Sequence, residues 1–203
     1  MARDIRIQLN RADVEELNAL MSALDPASRI KALVRAMNKT ARGVRTDISR
    51  EIRAKVNIKA KDVTQGIKVR FANKNEVAAR ITISGKRRPL MLFGARQVRA
   101  GVTVQVYKDK GRKLIKHAFI RTVNGRENVF WRAMGANGKR VGRTPIVMRF
   151  GLALPEMFAW TSQEAVEAQA RERLKKNLTH EIDYLLQESR KAAADANLES
   201  NDT

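Results

Sequence analysis

Side chains able to do acid–base or metal chemistry are few in this 203-residue chain, and they are widely spaced. The two histidines, His117 and His180, fall on a stretch of strand character beside Phe119 and among exposed helical positions. The plain reading of each is structural or solvated rather than catalytic. Cysteine is absent, which removes disulfides, thiol nucleophiles, iron–sulfur clusters and Cys-ligated zinc. Between residues 61 and 150 the acids are Asp62, Glu76, Asp109 and Glu127, scattered without the close pairing that a two-metal nuclease requires. Neither a GxGxxG run nor a phosphate-loop motif occurs. The pattern argues against an enzyme and implies no cofactor, no metal and no small-molecule substrate.

What the chain does offer is charge. Its 41 Lys and Arg against 21 Asp and Glu give a formal net of +20. The excess is concentrated: residues 1–60 carry +6, residues 61–150 carry +18, and residues 151–203 carry −4. A segment so lopsided favours a polyanion or an acidic protein face, through counterion release and long-range steering. Two stretches stand out as basic loops. Residues 85–100 hold Lys86, Arg87, Arg88, Arg96 and Arg99 around the apolar run Leu90-Met91-Leu92-Phe93, and residues 134–143 hold Lys139, Arg140 and Arg143 among glycines. Phosphate contact by such residues needs no base reading. With 5% aromatic residues and no stacking run, single-strand base stacking is poorly supported. DNA and an acidic neighbouring subunit stand as equal candidates for the basic loops. The LMLF run either meets a neighbouring subunit or folds back on the protein's own core.

The elements that must position these groups follow from periodicity. Ile5, Ile7 and Leu9 alternate as a short strand, and Val14 to about Leu24 reads as a helix. Asp25-Pro26 opens a second helix, with apolar residues from Ile30 to Ile52 along one stripe, a cationic opposite face, and an end near Val56. A helical turn before Gly66 is followed by β patterns: Ile67–Phe71 and Val77–Ile83 as a hairpin, Gly101–Tyr107, Lys113–Ile120, an Asn124-Gly125 turn before Val129–Trp131, and Thr144–Phe150. Pro155–Phe158 begins a helical turn, and a C-terminal helix runs from Thr161 or Ser162 to about Leu186. The expectation is α+β: a central antiparallel sheet flanked by long N-terminal and C-terminal helices, a single domain over 1–190, and a flexible tail over 191–203. No window is apolar enough for a membrane helix, and the opening residues lack the apolar core of a secretory signal.

Between residues 89 and 160 the order of short motifs becomes recognisable. Pro89–Gln97, Gly101-Val-Thr-Val, Lys116-His-Ala-Phe-Ile120, Asn124-Gly125, Val129-Phe-Trp-Arg132, Pro145-Ile146 and Gly151–Phe158 resemble the minor tail protein Z family of tailed bacteriophages and prophages. Lys31–Ala41 extends the likeness toward the N-terminus. The HAFI, VFxR and PI elements also resemble head–tail junction proteins more broadly. The resemblance implies a virion protein, made in the bacterial cytoplasm, that completes the tail at its head-proximal end. It implies a homo-oligomeric ring, hexameric by that likeness, in contact with tail-terminator, tail-tube or head–tail connector proteins and passing genomic DNA. Beside it stands a different reading, a non-specific DNA-binding protein acting through the basic loops.

Overall fold

The computed structural model describes residues 3–5, 11–132 and 146–201. From the N-terminus come β1 (Arg3–Ile5), α1 (Arg11–Met21), α2 (Pro26–Lys55), α3 (Ala60–Thr64), β2 (Ile67–Arg70) and β3 (Arg80–Ile83). Then follow β4 (Arg87–Pro89), a 3-10 turn (Leu90–Phe93), β5 (Arg96–Val98), β6 (Gly101–Val104), β7 (Lys113–Lys116), β8 (Phe119–Val123) and β9 (Arg126–Arg132). The chain closes with β10 (Ile146–Met148), β11 (Phe150–Ala153), α4 (Leu154–Ala159) and α5 (Gln163–Asn201). The class is α+β with a long helix toward each end. The strands are divided among four small sheets, in the orders β1–β3–β2, β10–β9–β8, β11–β4 and β5–β6–β7.

The division has local causes. Alternation over Lys113–Ile120 predicts one strand, but His117 adopts a φ of 63° and breaks it. β7 therefore pairs with β6, and β8 pairs with β9 in another sheet. Thr144–Phe150 likewise predicts one strand; β10 and β11 form instead on either side of Arg149, the first pairing with β9 and the second with β4. The Asn124-Gly125 turn forms as its residues dictate. Both have positive φ, 52° and 72°, and Val123 faces Arg126 across it, the geometry that Asn-Gly supplies to a two-residue hairpin.

Two compact units make up the chain. One is built mainly from Asp4–Thr46, Val69–Thr82 and Gln163–Thr203. Its core joins Leu17 and Leu24, Ala32 and Ala36 of α2, and Leu174, Leu178, Ile182 and Leu185 of α5. The small alanines admit close helix approach, and buried Asn177 donates to Thr40 Oγ1 at 2.9 Å, so the polar pair satisfies itself. Lys175 reaches Asp13 at 2.9 Å and Glu16 at 2.7 Å, tying α5 to α1. Asn38 holds Ala72 in both directions, donating to its carbonyl at 3.0 Å and accepting its N–H at 2.8 Å. Of the apolar residues along α1 and the start of α2, Leu17 and the following Leu24 are buried, while Val14, Leu20 and Ile30 are exposed.

The second unit is built mainly from Asp47–Lys68 and Ile83–Ser162. It buries Ile48, Ile52 and Val56 from the end of α2, Val63 of α3, Ile67, Ile83, Phe93, Val102, Val129, Leu154 and Met157. At the C-terminus α5 continues to Asn201, past the expected end near Leu186 and through most of the span expected to be a flexible tail. The reason is compositional: Ala192, Ala193, Ala194 and Ala196 are the strongest of helix formers.

The start of α2 shows how local chemistry sets a boundary. Asp25 Oδ1 accepts the N–H groups of Ala27 at 2.9 Å and Ser28 at 3.0 Å, with Pro26 in the first turn. Hydrogen bonds from Ser28, side chain first and then backbone, hold the Asp25 carboxyl below the ordinary carboxylate value. A depressed folded-state pKa contributes stability that is present above the unfolded value and lost as pH falls through the folded one. Asp25→Ala is therefore expected to lower the melting temperature at neutral pH, with the deficit closing in strong acid; a deficit that persists there would remove the capping role.

Candidate partner-binding surface

In the second unit, the end of α2 fixes the segment that follows β6. Val56 and Tyr107 form an isolated antiparallel bridge. Asn57 N–H donates to the Val106 carbonyl at 2.8 Å, and Lys108 N–H donates to the Lys55 carbonyl at 3.0 Å. Asn57 Nδ2 adds a bond to Gln105 O at 3.1 Å, and Gln105 Nε2 donates to Lys110 O at 3.1 Å, closing the turn. Beside this frame β11 pairs with β4, setting Phe150 opposite Pro89 and Ala153 opposite Arg87, with a register shift between.

These elements leave a pocket of about 350 Å³ whose lining includes Val104, Val106, Tyr107, Phe150 and Leu152 together with Arg87, Lys110 and Lys113. A second hollow, of about 760 Å³, shares Tyr107 and Lys110 and is also lined by Lys55, Lys108 and Trp160. The Tyr107 and Trp160 rings lie 5.1 Å apart, and Lys110 Nζ sits 5.0 Å from the Tyr107 ring centre. Lys55 Nζ donates to the Trp160 carbonyl. Burial, then the nearby charges of Asp109 and Glu156, push the Tyr107 hydroxyl above its ordinary pKa. Glu156 also accepts the Ala153 N–H at 2.9 Å, which caps α4.

The residues singled out from the sequence separate into groups. Lys86, Arg87, Arg96 and Arg99 are exposed. Arg88 is not an open surface cation: its Nε and Nη2 are buried and meet no hydrogen-bond acceptor among the described residues. Burial lowers its pKa, and Asp62 opposes the shift. Gly66 makes the room, since a Cβ there would fall 1.7 Å from Arg88 Nη2. Lys139, Arg140 and Arg143 lie outside the described residues.

The span 85–100, expected as an irregular loop, is made of β4, the 3-10 turn and β5; strands of three residues are too short to leave a period in the sequence. Within it the expected subunit-contact run divides. A 3-10 turn repeats every three residues, so Leu90 and Phe93 share a side and are buried, at 6% and 0% exposure, as core of their own unit. Met91 and Leu92 remain half-buried. Leu90 and Phe93 thus lie where the fold-back alternative puts them, packed within their own unit. A Cβ at Gly151 would stand 2.6 Å from the Phe93 ring, so β11 packs directly on it.

The groove itself escaped sequence reasoning. Its one advance signal was Lys108–Lys113, a turn with four cations in Lys108, Lys110, Arg112 and Lys113. Tyr107, Phe150 and Trp160 gave none, because only the tertiary fold sets Tyr107 beside Phe150 in one hollow and Trp160 in the other. The candidate acids do not converge: Asp62 faces Arg88, Glu76 pairs with Arg70 at 2.7 Å, Asp109 lies in the turn and Glu127 on β9. Among the described residues no group of three or more His, Asp or Glu is placed to hold a metal ion, and no helix is long and apolar enough to cross a membrane.

A family model for prophage minor tail protein Z matches residues 10–191. The chain belongs to that family. No curated protein and no solved structure matches it. As a phage tail protein it is a virion component whose surfaces meet other tail or virion components.

The burial of the 3-10 turn predicts a sharp contrast. Phe93→Ala should cost about 3–5 kcal/mol by denaturant unfolding, the range for a buried aromatic, whereas Met91→Ala should cost much less. Equal losses would mean that the turn is seated otherwise.

Proposed function

We propose that this minor tail protein completes the phage tail at its head-proximal end, as a ring of identical subunits seated on tail-tube, terminator or connector proteins, and that DNA passes it on the way from head to tail. The observation that carries the reading is the family match across residues 10–191. The charge distribution supports it. Residues 61–150 have a net charge of +18, and a closed ring multiplies that field by its subunit number, six by family resemblance. Such a field needs phosphates or acidic neighbours close by. The protein acts by contact and not by catalysis. Lys86, Arg87, Arg96 and Arg99 are the described cations assigned to DNA or acidic-partner contact, with Lys139, Arg140 and Arg143 assigned to the same role from sequence; Met91 and Leu92 keep the assignment to subunit contact.

Electron microscopy of particles lacking the protein, beside complete particles, tests the station. The expected difference is a rotationally symmetric layer at the head-proximal end of the tail. Density at the distal tip, or a single off-axis copy, would overturn the reading. DNA contact has its own measurement. Reversing Arg87, Arg96 and Arg99 together to Glu should flatten the dependence of duplex-DNA affinity on salt, by about 0.9 in log–log slope for each phosphate no longer neutralised. An unchanged slope would assign these cations to a protein partner.

A further inference from the structure

We infer that the two adjoining hollows that share Tyr107 and Lys110, one lined by Phe150 and the other by Trp160, form a docking groove for an acidic segment of a neighbouring virion protein, entered by one large apolar side chain flanked by carboxylates. The inference rests on the tail reading only in naming the neighbour a virion protein; the groove and its ligand chemistry stand on geometry.

The floor comes first. Val104 is buried, and Val106 and Leu152 are half-buried along a pocket of about 350 Å³, a size within the range that receives small ligands or single anchoring groups. Phe150 and Trp160 are 47% and 43% exposed, large apolar surfaces left open on a protein of net charge +20. Anchoring aromatics of this kind are enriched where protein surfaces meet.

Charge then selects the occupant. Arg87, Lys110 and Lys113 line the pocket, and none of them makes an ion pair with a described residue. Lys55 and Lys108 line the adjoining hollow. The acids present are Glu156, engaged in capping α4, and Asp109. An apolar pocket lined by cations matches a segment in which carboxylates bracket an apolar anchor. A single-stranded nucleic acid fits less well, since stacking successive bases needs a row of open ring faces. The Tyr107 ring is already approached by Lys110 and by Trp160, which leaves Phe150 as the one other aromatic in a pocket whose apolar lining is otherwise Val104, Val106 and Leu152.

Fluorescence anisotropy on the full chain tests this with a labelled peptide holding one phenylalanine between two pairs of acidic residues. It is expected to bind, and to bind about tenfold or more weakly when its phenylalanine becomes alanine or its acids become lysine. Lys110→Glu with Lys113→Glu, both at exposed positions, should weaken it by a similar factor. Arg121→Glu with Arg126→Glu on the β8–β9 hairpin, outside the groove lining, should leave it unchanged; circular dichroism confirms that each variant is folded. Absence of binding at millimolar peptide, or equal binding of the alanine peptide, would overturn the proposal. Oligothymidylate binding that depends on Lys110 and Lys113 and displaces the peptide would overturn it in favour of nucleic acid. None of these outcomes bears on where the protein sits in the tail, which the microscopy decides separately.

Discussion

The continuous apolar stripe of α2 is the constraint on which the rest depends. Ala32 and Ala36 are fully buried with α1 and α5, and Val44, Ile48 and Ile52 continue the stripe to Val56, where the helix ends. A helix of this length is stable because most of one face is covered and its start is capped, not because of intrinsic propensity. Its end also fixes the backbone from Gln105 to Lys108, and through that segment the tyrosine and lysines of the groove. Rigid support under the contact surface therefore begins with ordinary hydrophobic burial.

What the sequence disclosed follows the strength of each local signal. α2, the turn α3, the helical turn α4 and the Asn124-Gly125 hairpin were legible, because each is specified by neighbours within a few residues. Breaks at His117 and Arg149 were not, since alternation continues through both and only pairing with different partners divides the strands. The 85–100 segment hid its order for a related reason: its strands are shorter than one period of evidence. The family likeness was carried by motif order, a form of information that survives where periodicity fails.

The candidate surface was half legible. Exposed cations could be read directly, as Lys86, Arg87, Arg96 and Arg99 show, while Arg88, identical in type and adjacent in sequence, is drawn inward by the space above Gly66. Charge type is visible in a sequence; desolvation is not. Likewise Leu90–Phe93 reads as one sticky patch until the three-residue repeat of the turn sends two side chains inward. Tyr107, shared by the two hollows, is set beside Phe150 in one and Trp160 in the other only by the tertiary fold.

The inward guanidinium of Arg88 has a bearing on how any assembly built by this protein would respond to its surroundings. Guanidinium keeps its proton at every pH a virus particle meets, so burial does not silence its charge. A junction that pairs this unit's cations with the carboxylates of an acidic neighbour would loosen in brine, and again where those carboxylates take up protons.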